Sequence, residues 1–256
     1  MVTLGLVQSD IRPGAVEENL LHYEALLQQQ LSQQVDLLVF PEMFSCGFGP
    51  DLRQYAISDG GKSRAFLQKV ALQRKCHVVA TLPVQEGSRL FNRLFWFSPE
   101  GVRGTYDKRH LFFGEEREQC TPGVQRIVVE AFGYRFLPLI CFDVRFPEWS
   151  RNHRAEGRAD YDLLLYAANF PAPREEVLLK LAAARAIENQ AYVAVVNRIG
   201  RDGNGHEHRG GTAFFDPEGK MLAAARPDCE QILVGTLPLH LLTPLRKRFP
   251  VLDCQC

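Results

Sequence analysis

The sequence predicts an α/β layered fold, and three observations carry that prediction. Short β-rich runs alternate with longer segments of helical periodicity, both before and after position 141. The run VDLLVF at 35–40 is almost continuously apolar, the pattern of a strand covered on both faces. No composition shift, repeat or low-complexity stretch divides the 256 residues, so one domain over 1–256 is expected, with a C-terminal tail from about 238.

In chain order, residues 3–8 read as a strand, closed by the punctuation of Pro13 and Gly14. Residues 16–31 place Leu20, Tyr23, Leu27 and Leu31 three and four apart, as an amphipathic helix requires. After the 35–40 strand, 62–74 is helical and 77–82 returns to strand. The rhythm then changes to strands at 90–97, 104–107, 127–132 and 135–141, separated by the turn signals SPEG, TPG and Gly133. Beyond Cys141 the alternation resumes. A helix is expected near 147–156, a strand at 163–167, a helix at 174–189 and a strand at 192–196. Strands at 212–215 and 231–236 complete the set, with a tail from Pro238.

Composition removes whole classes of function. Thirty Lys and Arg balance thirty Asp and Glu, so there is no basic footprint for nucleic acid and no polybasic segment for an anionic membrane. The N-terminus MVTLGLVQSD lacks the positive region of a secretory signal, and no apolar run reaches the length of a membrane span. Seven cysteines, an odd number with no C-x-x-C pair, point to free thiols and a cytoplasmic setting.

Three segments have the form of catalytic strand ends. Glu42 follows the VDLLVF strand in FPEMF, Lys108 sits in GTYDKRHLF, and Cys141 closes an apolar strand in LPLICFDVRFPE. A thiol at a sharp strand-to-helix turn is aimed at a bound carbonyl, and the incoming helix N-terminus is expected to favour its thiolate. A carboxylate beside Pro41 and Met43 is poorly solvated, so its pKa should rise to suit a general base. Lys108 would offset charge developing on the carbonyl oxygen, helped by the backbone N–H of Phe142. Each residue also has a plain alternative: a core cysteine, an exposed loop glutamate, or a surface lysine in a basic run.

Taken together these segments resemble the nitrilase superfamily of carbon–nitrogen hydrolases, whose catalytic set is Glu, Lys and Cys in that order. LLVFPEMF, YDKRHLF and LPLICFDVRFPEWS carry the match. It continues through DLLLYAANFPAPR, AARAIENQAYVAVVNRIGRDGNGHEHRGGT and FFDPEGK to about Leu237. The resemblance implies a four-layer αββα sandwich and a homodimer formed through a helix layer. The helices after Cys141 and around 174–189 would make the interface, and the tail ending in Cys254 and Cys256 would reach the partner. It implies a second glutamate followed by three residues, a bulky apolar position and, soon after, a glycine. In EEREQCTPG that glutamate is Glu116, with Glu115 as the neighbouring register, and Cys120 departs from the bulky position.

Within the superfamily, YDKRHLF, CFDVRFPEWS and AANFPAPR look most like the omega-amidases, which cleave the terminal amide of small dicarboxylate monoamides such as 2-oxoglutaramate and 2-oxosuccinamate. The implied products are the 2-oxo dicarboxylate and ammonia, released without a cofactor through a cysteine acyl-enzyme. Such a substrate needs a facing cation. Arg145 is one candidate, although an ion pair with Glu148 is its plainer fate, and Arg198 and Arg209 flank the glycine-rich loop. Phe170 could form an apolar pocket wall. A nitrile or N-carbamoyl hydrolase with the same residues is the competing reading. A non-catalytic redox-sensing or binding protein using Cys141 with Cys46 or Cys120 is the competitor from another class. His206, Glu207 and His208 have no third ligand at a metal-site spacing, so no metal is expected. Gly61-Lys62-Ser63 lacks the first glycine of a phosphate loop.

Overall fold

The computed structural model describes residues 1–155 and 157–254; Glu156 and Cys256, which enter the helix and tail expectations above, lie outside the described residues. In the first half, β1 (Val2–Gln8), α1 (Val16–Gln30), β2 (Leu37–Val39), α2 (Leu52–Asp59), α3 (Lys62–Arg74), β3 (His77–Glu86), β4 (Arg89–Ser98), β5 (Gly101–Asp107) and α4 (Glu115–Gln119) follow in order. The second half runs β6 (Val129–Ala131), β7 (Tyr134–Ile140), a 3-10 turn over Cys141–Arg145, α5 (Pro147–Ser150), β8 (Arg154–Ala155), β9 (Arg158–Ala159), β10 (Leu163–Ala167) and α6 (Glu175–Asn189). It continues through β11 (Tyr192–Val196), β12 (Ile199–Arg201), β13 (Glu207–Arg209), β14 (Ala213–Phe215), β15 (Met221–Ala224), β16 (Gln231–Leu237) and α7 (Leu242–Arg248).

Two six-stranded sheets form, in the orders β16-β1-β2-β3-β4-β5 and β15-β14-β11-β10-β7-β6. Each has three neighbouring parallel strands, β1-β2-β3 in one and β7-β10-β11 in the other, flanked by antiparallel partners. The layers can be read from β2. Leu37 and Val39 point into the core shared by both sheets, with Trp96 and Phe136, while Leu38 points outward to Tyr23 of α1 and Leu67 and Val70 of α3. Successive strand residues face opposite sides, so a strand covered by a sheet on one face and helices on the other has no polar position left. On the far side Leu178, Ala182 and Ala186 of α6 cover the second sheet. The result is helix, sheet, sheet, helix, the αββα sandwich.

Two expectations fail. The helix expected near 147–156 stops at Ser150. Asn152 is buried and bound to Asn189 and Tyr161, and the chain then turns back as the β8-β9 hairpin at Gly157, whose φ is +77°. Nor is the stretch after Pro238 a loose tail. It forms α7 and a 3-10 turn over Val251–Cys254, with Leu239, Leu242 and Leu252 buried. Arg246 fastens it, donating to the carbonyls of Gln190 and Tyr161 and to Asp162 Oδ1. Helices α2 and α4 and strands β12, β13 and β15 are additions to the expected set; all are short. Among the described residues no helix is long and apolar enough to cross a membrane.

Candidate active site

The parallel strands β2, β7 and β10 end on one side of the molecule, where side chains leaving the sheets converge. Beyond β2 the chain is pinned at once: Glu42 N–H donates to Ala168 O at 3.1 Å and Met43 N–H to Thr81 Oγ1 at 2.7 Å. Glu42 is thereby fully buried. Lys108 leaves the end of β5 with its backbone clamped between Asn92 O and Gly123 N–H, both at 2.9 Å. Gly123 is the residue this clamp demands, because a Cβ there would lie 2.0 Å from Asp107 O.

Lys108 Nζ donates to Glu42 Oε1 at 2.7 Å and to Glu116 Oε1 and Oε2 at 2.9 and 2.8 Å. Glu116 also accepts the backbone N–H of Phe112 at 2.7 Å. Burial by itself would lower the lysine's pKa, but the two facing carboxylates outweigh it and hold the ammonium well above the ordinary lysine range. Burial is the largest influence on Glu42, raising its pKa against the pull of Lys108. That is the direction expected from its poor solvation. Glu42 Oε2 has no nitrogen or oxygen partner among the described residues, and the Cys141 thiol is the neighbour that interacts with this carboxylate.

Cys141 sits at the end of β7 with φ +43°, a left-handed conformation that a residue with a side chain adopts only when its surroundings impose it. The turn lifts the sulfur out of the sheet and, next to β10, brings it to the backbone N–H of Asn169. The expected preference for thiolate is not what the structure gives. Burial, then the neighbouring Glu42 charge, push the thiol well above its ordinary range. A five-residue 3-10 turn supplies little dipole, so desolvation prevails and the resting sulfur carries its proton. The Phe142 N–H lies in the first turn of that 3-10 segment, where backbone donors lack a partner within the turn.

These groups floor a cavity of about 400 Å³. Phe170 lines it, as do Arg174, Asp202, His206 and His208. Arg145 does not: it is exposed, outside the pocket, and among the described residues it has no ion pair with Glu148 either. It is the last residue of the 3-10 turn, whose first four are buried. Arg198 is buried outside the cavity, donating from Nε and Nη2 to Asp10 and the carbonyls of Ile199, Ile11 and Arg201, and Arg209 pairs with Asp228. Glu115, the alternative register for Glu116, accepts from Asn204 at the cavity mouth and not from Lys108. Cys46 and Cys120 share an apolar cluster with Met43 and Leu52. Burial raises the pKa of both thiols, Cys120 to about 12, which leaves them poor partners for thiol exchange.

Three residues of the site region escape a reading of strand ends. Asn92, buried in β4, donates one amide nitrogen to Glu42 Oε1 and Glu116 Oε1, both at 2.7 Å. A lone amide inside LFNRLFWF was the available signal. Arg174 opens α6, with its guanidinium 4.6 Å from the Phe112 ring centre and no carboxylate partner among the described residues. Asp202 accepts from His206 and His208, so this glycine-rich loop is part of the mouth and its two histidines are bound to an aspartate.

A family model described as carbon–nitrogen hydrolase matches residues 3–247. The chain is 39% identical to an omega-amidase, YafV, of Yersinia enterocolitica, over 96% of this chain and 94% of that protein. It is 32% identical to a 2-oxoglutaramate amidase of Bacillus subtilis, over 98% and 96% of the two chains. Among solved structures it is similar to XC1258 of Xanthomonas campestris, a CN-hydrolase superfamily protein with an arsenic adduct in its active site. The TM-score is 0.93 and the identity 35%, over 100% of this chain and 97% of that one.

Proposed function

Because this chain belongs to the carbon–nitrogen hydrolase family, we propose that it is an omega-amidase, cleaving the terminal amide of 2-oxoglutaramate and related dicarboxylate monoamides to the dicarboxylate and ammonia. The observation that carries the reading is the buried Glu42–Lys108–Cys141 cluster at the floor of a cavity whose mouth holds an uncommitted cation, Arg174.

In the proposed reaction Glu42, unprotonated, accepts the Cys141 thiol proton as sulfur bonds to the amide carbon. The carbonyl π electrons move to oxygen, and the oxyanion is held by Lys108 Nζ and the Phe142 N–H. Glu42 returns the proton to the amide nitrogen, the C–N bond breaks, and ammonia leaves a thioester on Cys141. Water then attacks the thioester with Glu42 again as base, releasing the carboxylic acid and restoring the thiol. Glu116 keeps Lys108 charged and aimed, and Arg174 rather than Arg145 takes the substrate's distal carboxylate, with Phe170 as the apolar wall between. A protonated resting thiol suits this sequence, because the base lies alongside and no free thiolate is exposed between turnovers.

The test is ammonia release from 2-oxoglutaramate, succinamate, glutamine, a simple nitrile and an N-carbamoyl amino acid, by wild type and by Cys141→Ala. Rapid release from the two dicarboxylate monoamides, lost in the variant, is expected. Faster turnover of the nitrile or carbamoyl compound would discard the substrate, and undiminished release by Cys141→Ala would discard the nucleophile.

The enzyme is further proposed to act as a cytoplasmic homodimer joined through its α5 and α6 layer, without nucleic-acid partners. Supporting this are the exposed Ile187 on α6, the free state of the described cysteines and the balanced charge. A monomeric mass by light scattering would remove the dimer.

A further inference from the structure

We infer that Asp143 is the positioning residue of this site: its carboxylate ties the strained turn of Cys141 to the segment that carries Lys108. The inference rests on the thiol-amidase reading only for which sulfur reacts.

Asp143 is fully buried and lines no part of the cavity, so it does not meet substrate. Its Oδ2 accepts the N–H of Ile140 at 3.1 Å. That bond closes across Cys141, joining the residue before the left-handed position to the residue two beyond it. A left-handed residue with a side chain persists only when both flanks are fixed, and this carboxylate fixes them. The same Oδ2 accepts the Tyr106 hydroxyl at 2.7 Å, while Oδ1 accepts the backbone N–H of His110 at 3.0 Å and lies 2.8 Å from His110 Nδ1.

Those donors bracket Lys108. Tyr106 lies two residues before it and His110 two after it. The Tyr106 oxygen also accepts the Arg109 N–H at 3.0 Å and the Trp149 Nε1–H at 2.9 Å. The bracket is reinforced by the His110 ring stacked on Phe146, with centres 3.6 Å apart and planes 8° apart. Phe146 in turn donates its N–H to Asp143 O. The lysine segment and the nucleophile turn thus meet through one side chain. A carboxylate offers acceptor sites on two oxygens at once for these donors.

Asp143→Asn keeps the shape but turns an amide N–H toward N–H or O–H donors on one side. The readouts are kcat, KM and the rate at which iodoacetamide alkylates Cys141, followed by peptide mass. Losing a charged hydrogen-bond hub should lower kcat by about 10–100-fold with KM held within about 3-fold. Alkylation of Cys141 should slow by about tenfold as the turn no longer holds the sulfur toward the cavity, and this needs no substrate, so it stays readable whichever amide the enzyme takes. A folded Asp143→Asn protein with wild-type kcat and alkylation would overturn the proposal, as would a loss confined to KM. Should that variant not fold, Tyr106→Phe carries the test. It removes one tether, so kcat and alkylation should each fall by about 2–10-fold, and wild-type values in both would equally overturn the assignment.

Discussion

Arg145 and Arg174 differ by position on the chain's path rather than by chemistry. Arg145 follows the nucleophile closely in sequence, yet the 3-10 turn carries it to the surface. Arg174 is distant in sequence, yet α6 begins at the cavity mouth and brings it there. A guanidinium facing a ring and no carboxylate is poised for an anionic substrate group. Arg174→Met should therefore raise KM for succinamate by about 10–100-fold, the worth of a charge-assisted hydrogen bond, with a much smaller effect on an uncharged amide of similar length. Parallel kinetics on the two amides check this, and equal losses on both would remove Arg174 from carboxylate recognition. Asn92 makes the complementary point. One neutral amide nitrogen stands between two carboxylates, so their repulsion is eased without adding charge to the site.

At the scale of elements, the C-terminal segment departs most from its expected form. Its periodicity over 239–254 is too short and too polar to announce a helix, and propensity alone would leave α7 frayed. Arg246 decides the matter by reaching the carbonyls of Gln190 and Tyr161 and the Asp162 carboxylate, which tie α7 to the end of α6 and the start of β10. Arg246→Leu should cost about 2–4 kcal/mol, because the buried Gln190 carbonyl loses its side-chain donor and the Asp162 carboxylate its ion pair. A lower urea midpoint with an unchanged slope, and an unaltered rate of ammonia release at low temperature, is the expected result; none of its partners lines the cavity. The 147–156 segment follows the same logic in reverse. Its helical pattern yields to Asn152, whose buried amide is satisfied only by leaving the helix.

At the scale of the whole molecule, two sheets placed face to face put Glu42 and Lys108 from one against Cys141 and Asn169 from the other. The site exists only at that junction, and its dryness sets the pH response. In the proposed reaction Glu42 must be ionised to accept the thiol proton, and burial has raised its pKa, so activity is expected to fall as pH drops through that raised value. The acid limb of kcat should thus lie above the ordinary glutamate range. Lys108, held well above the ordinary lysine range, should contribute no alkaline limb below that range. Initial rates at saturating substrate across pH measure both limbs. An acid limb at an ordinary glutamate position would mean that the carboxylate is better solvated in the working enzyme.

The sequence alone carried the α/β layered class and the candidate side chains, while the αββα order was implied by the family resemblance. The almost continuously apolar run VDLLVF reads as a strand covered on both faces, and Glu42, Lys108 and Cys141 each stand near where a strand releases the chain. These signals are local: side-chain period, strand ends and residue type all survive in one dimension. Burial and approach do not. That Glu116 and not Glu115 faces Lys108, that Asn92 spans both glutamates, that Arg174 and not Arg145 lines the cavity, and that burial pushes the thiol up all depend on which surfaces the two sheets press together. Desolvation and hydrogen-bond geometry are properties of that packed junction, so only the tertiary structure could decide them.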